Sequence, residues 1–220
     1  MKITIDGPAG SGKSTTARLV ANRLGFTYLD TGAMYRAVTW LAIESGFDLQ
    51  DGNALAQLAR QKTFRIESQP DLTRIWIDVK EITQEIRSIA VTKKVSIVAG
   101  HPQVRDEMVR LQRKIAAEGN FVVEGRDIGS VVFPEAELKI FMQASLDARA
   151  RRRHLELQKK GVESAIEEIK HDIARRDELD SGRTASPLIM PTGAVVIDTT
   201  ALTIDEQVDR IVAEVTKIRE

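Results

Sequence analysis

Cysteine is absent from the 220 residues. That excludes disulfides, thiolate-held zinc and cysteine nucleophiles, and it suits a reducing cytosol. Net charge is absent too, with 32 lysines and arginines against 32 aspartates and glutamates. No overall positive field argues for a nucleic-acid partner, although local arginine clusters can still hold smaller anions. No apolar run approaches the ~18–20 residues of a membrane span, and the chain starts almost directly on a strand pattern with no signal-peptide signature. The expectation is a soluble cytoplasmic protein with no membrane partner. Repeats, low-complexity tracts and Pro/Gly/Ser linkers are missing as well, so a single domain over 1–220 is expected. Its 42% hydrophobic and 29% charged residues are ordinary for a globular protein of this length.

What is present begins at residue 7. Gly7-Pro8-Ala9-Gly10-Ser11-Gly12-Lys13-Ser14 matches the phosphate-binding pattern G-x-x-x-x-G-K-[ST]. A β-branched stretch (2–6) precedes it. Thr15 opens an apolar pattern at Ala17, Val20, Ala21 and Leu24, stopped by Gly25. The loop therefore joins a strand to a helix N-terminus, where unpaired N–H groups and the helix dipole favour an anion. Glycines let the backbone curl around phosphates. Lys13 reaches the β- and γ-phosphates, and the Ser14 hydroxyl suits a Mg²⁺ shell. A nucleoside triphosphate is the expected ligand.

Short apolar runs at 3–6, 26–29, 121–124, 138–142 and 194–198 read as parallel strands covered on both faces. Helical spacing recurs at 34–44, 103–117, 146–160, 164–177 and 204–217. Thr203 to Glu206 reads as a capping box, and Ser145 with Asp147 as another helix start. The alternation predicts a doubly wound α/β fold with a five-stranded parallel sheet and ligands at the carboxyl ends of the strands. One segment breaks the rhythm. Residues 63–68 and 73–78 alternate at period two across a Pro-Asp turn at 69–72, as an exposed antiparallel hairpin would.

Four polar constellations follow the loop. Leu29-Asp30-Thr31-Gly32 reads as a capped strand-to-helix turn, with Arg36 close behind it. The strand at 121–124 runs into Glu124-Gly125-Arg126-Asp127-Ile128-Gly129, bringing two carboxylates and an arginine to the sheet edge. Arg149, Arg152 and Arg153 share a helix face able to close over a triphosphate, or to be a solvated face paired with Glu156. Arg175-Arg176-Asp177 to Arg183 ends another helix. Arginines gathered around phosphates suit phosphoryl transfer, whose transition state spreads charge over oxygens. A guanine switch would carry Asn-Lys-x-Asp, which the chain lacks.

These segments resemble the bacterial-type cytidylate kinases nearly from end to end. The most specific are Leu29-Asp30-Thr31-Gly32-Ala33-Met34-Tyr35-Arg36 and Gly125-Arg126-Asp127-Ile128-Gly129-Ser130-Val131-Val132-Phe133-Pro134. The resemblance implies transfer from ATP, with Mg²⁺, to CMP or dCMP; a monomer is expected separately, since no long apolar stripe is left over. The resemblance also implies an ATP site at Gly7, Pro8, Ala9, Gly10, Ser11, Gly12, Lys13, Ser14 and Thr15, with Ser14 toward the metal. Arg36, Arg105 and Arg126 would hold the acceptor phosphate. Ser96, Arg105 and Asp127, with Thr31 nearby, would frame cytosine, and Arg176 and Asp180 would meet the ribose. Lys13, Arg126, Arg183 and Arg153 would act on the transferred group. A monophosphate lobe at about 31–100, with its β insertion at about 63–82, and a helical lid at about 149–186 would close over the substrates. The chain departs from the family pattern at Val79, where a glycine is usual, and at Leu179 and Ser181, where other members carry arginines.

Overall fold

The structure, a computed structural model, describes residues 1–68, 73–159 and 161–219. Strand β1 (Lys2–Asp6) leads through the glycine-rich loop into α1 (Lys13–Leu24), then β2 (Thr27–Asp30) and α2 (Thr31–Glu44). Gly25 stops α1 as expected, at φ 67°, with its N–H turned back to Ala21 and Asn22. Asp30 caps α2, its carboxylate accepting from Ala33 N at 2.8 Å. After α3 (Gly52–Arg60) come β3 (Phe64–Ser68), β4 (Thr73–Ile77) and β5 (Lys80–Glu81), then α4 (Ile89–Gly100) and α5 (Pro102–Ile115). The chain ends with β6 (Phe121–Gly125), β7 (Leu138–Gln143), α6 (Leu146–Lys159), α7 (Ile166–Gly182), β8 (Val195–Asp198) and α8 (Ile204–Arg219).

Five strands pair in parallel in the order β2-β6-β1-β7-β8, the doubly wound sheet that the sequence predicts. Neighbouring residues of one strand feed opposite faces. On β6, Val122 packs with α1 and α8, whereas Phe121 and Val123 join the cluster of α2 to α5. On β1, Ile3 and Ile5 enter the α1–α8 core, while Thr4 and Asp6, also fully buried, alternate with them. Asp6 is not idle. Its two carboxylate oxygens accept from Ile128 N and Gly129 N, each at 2.7 Å, pinning the wide π turn at Ile128–Val132 to the central strand.

The expected helix caps hold. Thr203 and Glu206 exchange backbone and side-chain hydrogen bonds at 2.8 and 3.3 Å, and Ser145 Oγ accepts from Ala148 N at 3.2 Å. The insertion differs from the exposed hairpin expected. It is a three-stranded antiparallel sheet, β3-β4-β5, and Ile75 and Ile77 of β4 are buried in the cluster of α2 and α3. Its apolar alternation marks a face packed on helices. The Pro-Asp turn at 69–72 lies outside the described residues, as does Lys160, the expected end of α6. Val79 is 98% exposed, and the positive φ of the β4–β5 turn falls on Asp78, at 54°. Helices α6 and α7 have a small core of their own, Ala150, Ile169 and Ile173.

Ile5 lies at 0% exposure on the central strand. We expect Ile5→Ala to cost about 2–5 kcal/mol of stability. Denaturant titration should show this as a lower midpoint at unchanged slope.

Candidate active site

The carboxyl edge of the sheet carries the cleft. Three loop glycines take backbone conformations closed to other residues, φ 146° at Gly7, 75° at Gly10 and 96° at Gly12. A Cβ on Gly7 would stand 2.0 Å from the Met142 carbonyl oxygen, so the loop lies directly against β7. Lys13 Nζ donates to Pro8 O at 2.7 Å inside its own loop. Ser14 Oγ donates to Glu124 Oε1 at 2.6 Å, and Tyr28 OH donates to the same oxygen at 3.1 Å.

Around the loop, Lys13, Arg36, Arg105, Arg126, Arg176 and Arg183 line one cavity with four carboxylates, Asp30, Glu124, Asp127 and Asp180. Arg126 ties it together. Its NH1 donates to Gly7 O at 2.9 Å and its Nε to Asp180 Oδ2 at 2.7 Å, joining β6, the phosphate loop and α7. Arg105 NH1 donates to Ala99 O at 3.1 Å, and NH2 to Asp127, both side chains buried. The Arg105 guanidinium also lies 5.3 Å from the centre of the Tyr35 ring. Arg183 reaches Asp127 at 3.8 Å and Asp180 at 3.7 Å. Arg36 pairs with Asp30 at 2.9 Å.

Six cations against four carboxylates leave the cavity positively charged, and the surplus is visible atom by atom. Arg36 Nε and Arg176 Nε are shielded from solvent with no hydrogen-bond partner among the described residues, and Arg183 NH2 makes no hydrogen bond, only the longer approach to Asp127. Burial, with Arg126 next to it, pushes Arg176 down to about 10. The same two causes push Lys13 down to about 7. Burial alone would raise the Asp180 carboxyl, yet Arg126, Arg176 and Arg183 hold it below the usual carboxylate range. Burial and Asp30 raise Glu124. The cavity is built for something more negative than its own acids.

Of the residues singled out in the sequence, Ala9, Gly10, Lys13, Ser14, Thr31, Arg36, Ser96, Arg105, Arg126, Asp127, Arg176, Asp180 and Arg183 line this one cavity. Gly7, Pro8, Ser11 and Gly12 shape the loop behind it, and Thr15 is exposed on the first turn of α1. Thr31 spends its hydroxyl on Glu124 O at 2.7 Å. Arg153 is not among the lining residues. It pairs with Glu156 at 3.0 Å, the solvated-face alternative. Arg149 donates to Ala9 O at 3.2 Å and Arg152 to Thr199, so both brace the loop region from behind. Tyr35 and Glu124 line the cavity without having been assigned a role; the signal for Glu124 was its place at a central strand end.

Ser14 and Glu124 also decide whether Mg²⁺ fits. Among the described residues no three acidic or histidine side chains form a metal cage. Mg²⁺ in a nucleotide site needs none, since it takes most ligands from phosphates and water. A hydroxyl whose proton is already directed to a buried carboxylate offers its lone pairs, and these residues fit that role.

Parallel sheet order, glycine-rich phosphate loop and arginine-lined cavity together define a P-loop kinase. The sequence profile of the cytidylate kinases matches residues 3–217, and the chain belongs to that family. It is 47% identical over 217 residues to the cytidylate kinase of Caldanaerobacter subterraneus subsp. tengcongensis, covering 99% of this chain and 95% of the relative. It is 49% identical over 209 residues to that of Shouchella clausii, covering 95% and 93%. A gluconokinase from Sinorhizobium meliloti shares the fold, with a TM-score of 0.53 over 99% of this chain and 92% of that one at 14% identity.

The depressed Lys13 gives a pH prediction. With a pKa of about 7 this amine is largely neutral at pH 8, and a triphosphate beside it would raise the pKa again. Binding of ATP should therefore take up close to ~1 proton at pH 8 and almost none below pH 6. Calorimetry in buffers of different ionisation enthalpy measures the uptake, which Lys13→Ala should abolish.

Proposed function

We propose that this protein transfers the γ-phosphoryl group of ATP to CMP or dCMP, giving ADP and CDP or dCDP. One observation carries the reading. The phosphate loop opens into the same cavity as the buried Arg105–Asp127 pair, beyond a ring of arginines with unspent donors.

ATP lies along the Gly7–Thr15 loop with Lys13 at its β- and γ-phosphates. Mg²⁺, bound through Ser14, would neutralise charge across the phosphate oxygens. Arg36, Arg105 and Arg126 receive the acceptor phosphate, and Arg176 and Asp180 receive the ribose. The acceptor is already an ionised phosphate, so no general base is needed. Lys13, Arg126 and Arg183 instead hold donor and acceptor in line and balance the charge that spreads over the transferred group. Arg153 joins them only if the lid closes, since its present partner is Glu156. Asp127 accepts from the cytosine amino group, while Ser96 and Arg105 address the ring nitrogen and carbonyl. A uracil in the same place would leave these groups unpaired, at about 1–3 kcal/mol each.

Closure of the lobe at 31–100 and the lid at 149–186 would exclude water and suppress ATP hydrolysis. A monomer is taken as the working unit because the sequence leaves no long apolar stripe unaccounted for. We place the reaction in the cytoplasm, in keeping with the cysteine-free sequence. No helix of the described residues is long and apolar enough to cross a membrane.

Formation of ADP from ATP and Mg²⁺, with CMP, dCMP, UMP, AMP or GMP offered separately, tests this reading. Turnover should be fast on CMP and dCMP alone. Asp127→Asn should lower kcat/KM for CMP by about 10–100-fold, with ATP affinity within about twofold of wild type. Equal turnover of UMP would remove the base-reading role, and hydrolysis independent of any acceptor would overturn the kinase reading.

A further inference from the structure

Arg149 and Asp177 form a partly buried pair that the reaction as described does not use. Arg149 sits on the first turns of α6 with its side chain 9% exposed, and Asp177 lies on α7 at 23%. Neither lines the cavity. A single nitrogen, Arg149 NH1, donates both to Ala9 O in the phosphate loop, at 3.2 Å, and to Asp177 Oδ2, at 2.5 Å. Arg149 Nε donates to Ala144 O at 3.1 Å, where β7 ends. The second carboxylate oxygen of Asp177 is shielded from solvent with no hydrogen bond among the described residues, so the arginine is what holds this side chain.

Both ends of the pair lead into the cavity. On one side, the carbonyl of Ala9 belongs to a residue that lines it, in the loop that takes the donor phosphates. Gly10 presses on the same helix, since a Cβ there would stand 3.2 Å from Arg149 Cβ. On the other side, Asp177 is flanked on α7 by Arg176 and, one turn on, by Asp180, which line the acceptor half. Helices α6 and α7 are packed on one another around Ala150, Ile169 and Ile173, apart from the two larger cores, and meet the sheet and loop through polar contacts of Arg126, Arg149 and Arg152. A change in the Ala9 peptide when the loop fills is thus two hydrogen bonds, both made by Arg149 NH1, away from α7.

We propose that Arg149 and Asp177 are positioning residues that couple the two substrate sites: filling the phosphate loop, felt at the Ala9 carbonyl, sets α7 so that Arg176 and Asp180 receive the acceptor. The inference rests on the ATP and CMP reading above and adds a coupling between the sites. A fold-stabilising role alone would change melting but not that coupling.

Calorimetric titration of CMP into the whole protein, alone and with the β,γ-imido analogue of ATP and Mg²⁺ present, separates the two. In wild type the analogue should tighten CMP binding by about 5–150-fold. In Asp177→Asn, which keeps the side-chain volume, and in Arg149→Lys, which keeps the charge, that factor should fall below about twofold. Each nucleotide measured by itself should stay within about threefold of wild type. Lys170→Ala serves as the comparison, because it breaks an α6–α7 ion pair at 2.8 Å to Asp147 on the same helices without touching the loop; its coupling factor should match wild type. An undiminished factor in both pair variants, an equal loss in Lys170→Ala, or no coupling in wild type would each overturn the inference while leaving the kinase reading standing. Failure of CMP to bind wild type under either condition would overturn both.

Discussion

Guanidinium charge in excess of carboxylate charge, held at the carboxyl edge of the sheet, is the constraint on which the rest of this molecule depends. A buried arginine without an acceptor is costly, and several donors here lack one. Nearby acids offset part of that cost. Asp30, Asp127 and Asp180 each take one or more guanidinium groups, and Asp180 is held ionised by doing so. What remains is a deficit of negative charge that phosphate oxygens can supply, in the fork geometry that arginine prefers.

The sheet makes that arrangement rigid. Strand β6 is buried along its length and β1 from Ile3 to Asp6, and the carboxyl ends of β1, β2 and β6 deliver the phosphate loop, Asp30 and Glu124 side by side. Asp6 then fastens the turn after Asp127 to β1, and Arg126 fastens the strand end to the loop. The phosphate loop, Asp30, Glu124 and Arg126 therefore share one frame, whereas Arg176 and Asp180 are carried on α7, which packs with α6 around a separate small core and meets that frame through Arg126. Precision of placement is what phosphoryl transfer demands, because little covalent chemistry is left for the protein to do.

Much of this was legible in the sequence, since the informative signals were local. The phosphate loop, the five parallel strands, and the caps at Asp30, Ser145 and Thr203 depend on near neighbours and came out as written, except that the edge strand β8, read as covered on both faces, leaves Val196 exposed. Helix α4 did not. Its Val91, Thr92, Val95, Ile97 and Val98 favour strand by propensity, and only the burial of Val91, Val95 and Val98 shows the helical period. The buried face of β4 was hidden for a related reason, because alternation reveals a covered face but not what covers it. Charge was the least legible. From spacing alone Arg149, Arg152 and Arg153 look equivalent, and only tertiary structure separates two braces of the loop from an arginine paired with Glu156.

The most direct test of the charge argument is Arg176→Met, scored twice on the same preparation. If the uncompensated arginine is there for the ligand, the empty variant should melt at a higher temperature than wild type, while kcat/KM for the acceptor falls by about 100-fold or more. A variant that melts lower and keeps its kcat/KM would show that Arg176 supports the fold, and the account of a cavity completed by phosphate charge would be wrong.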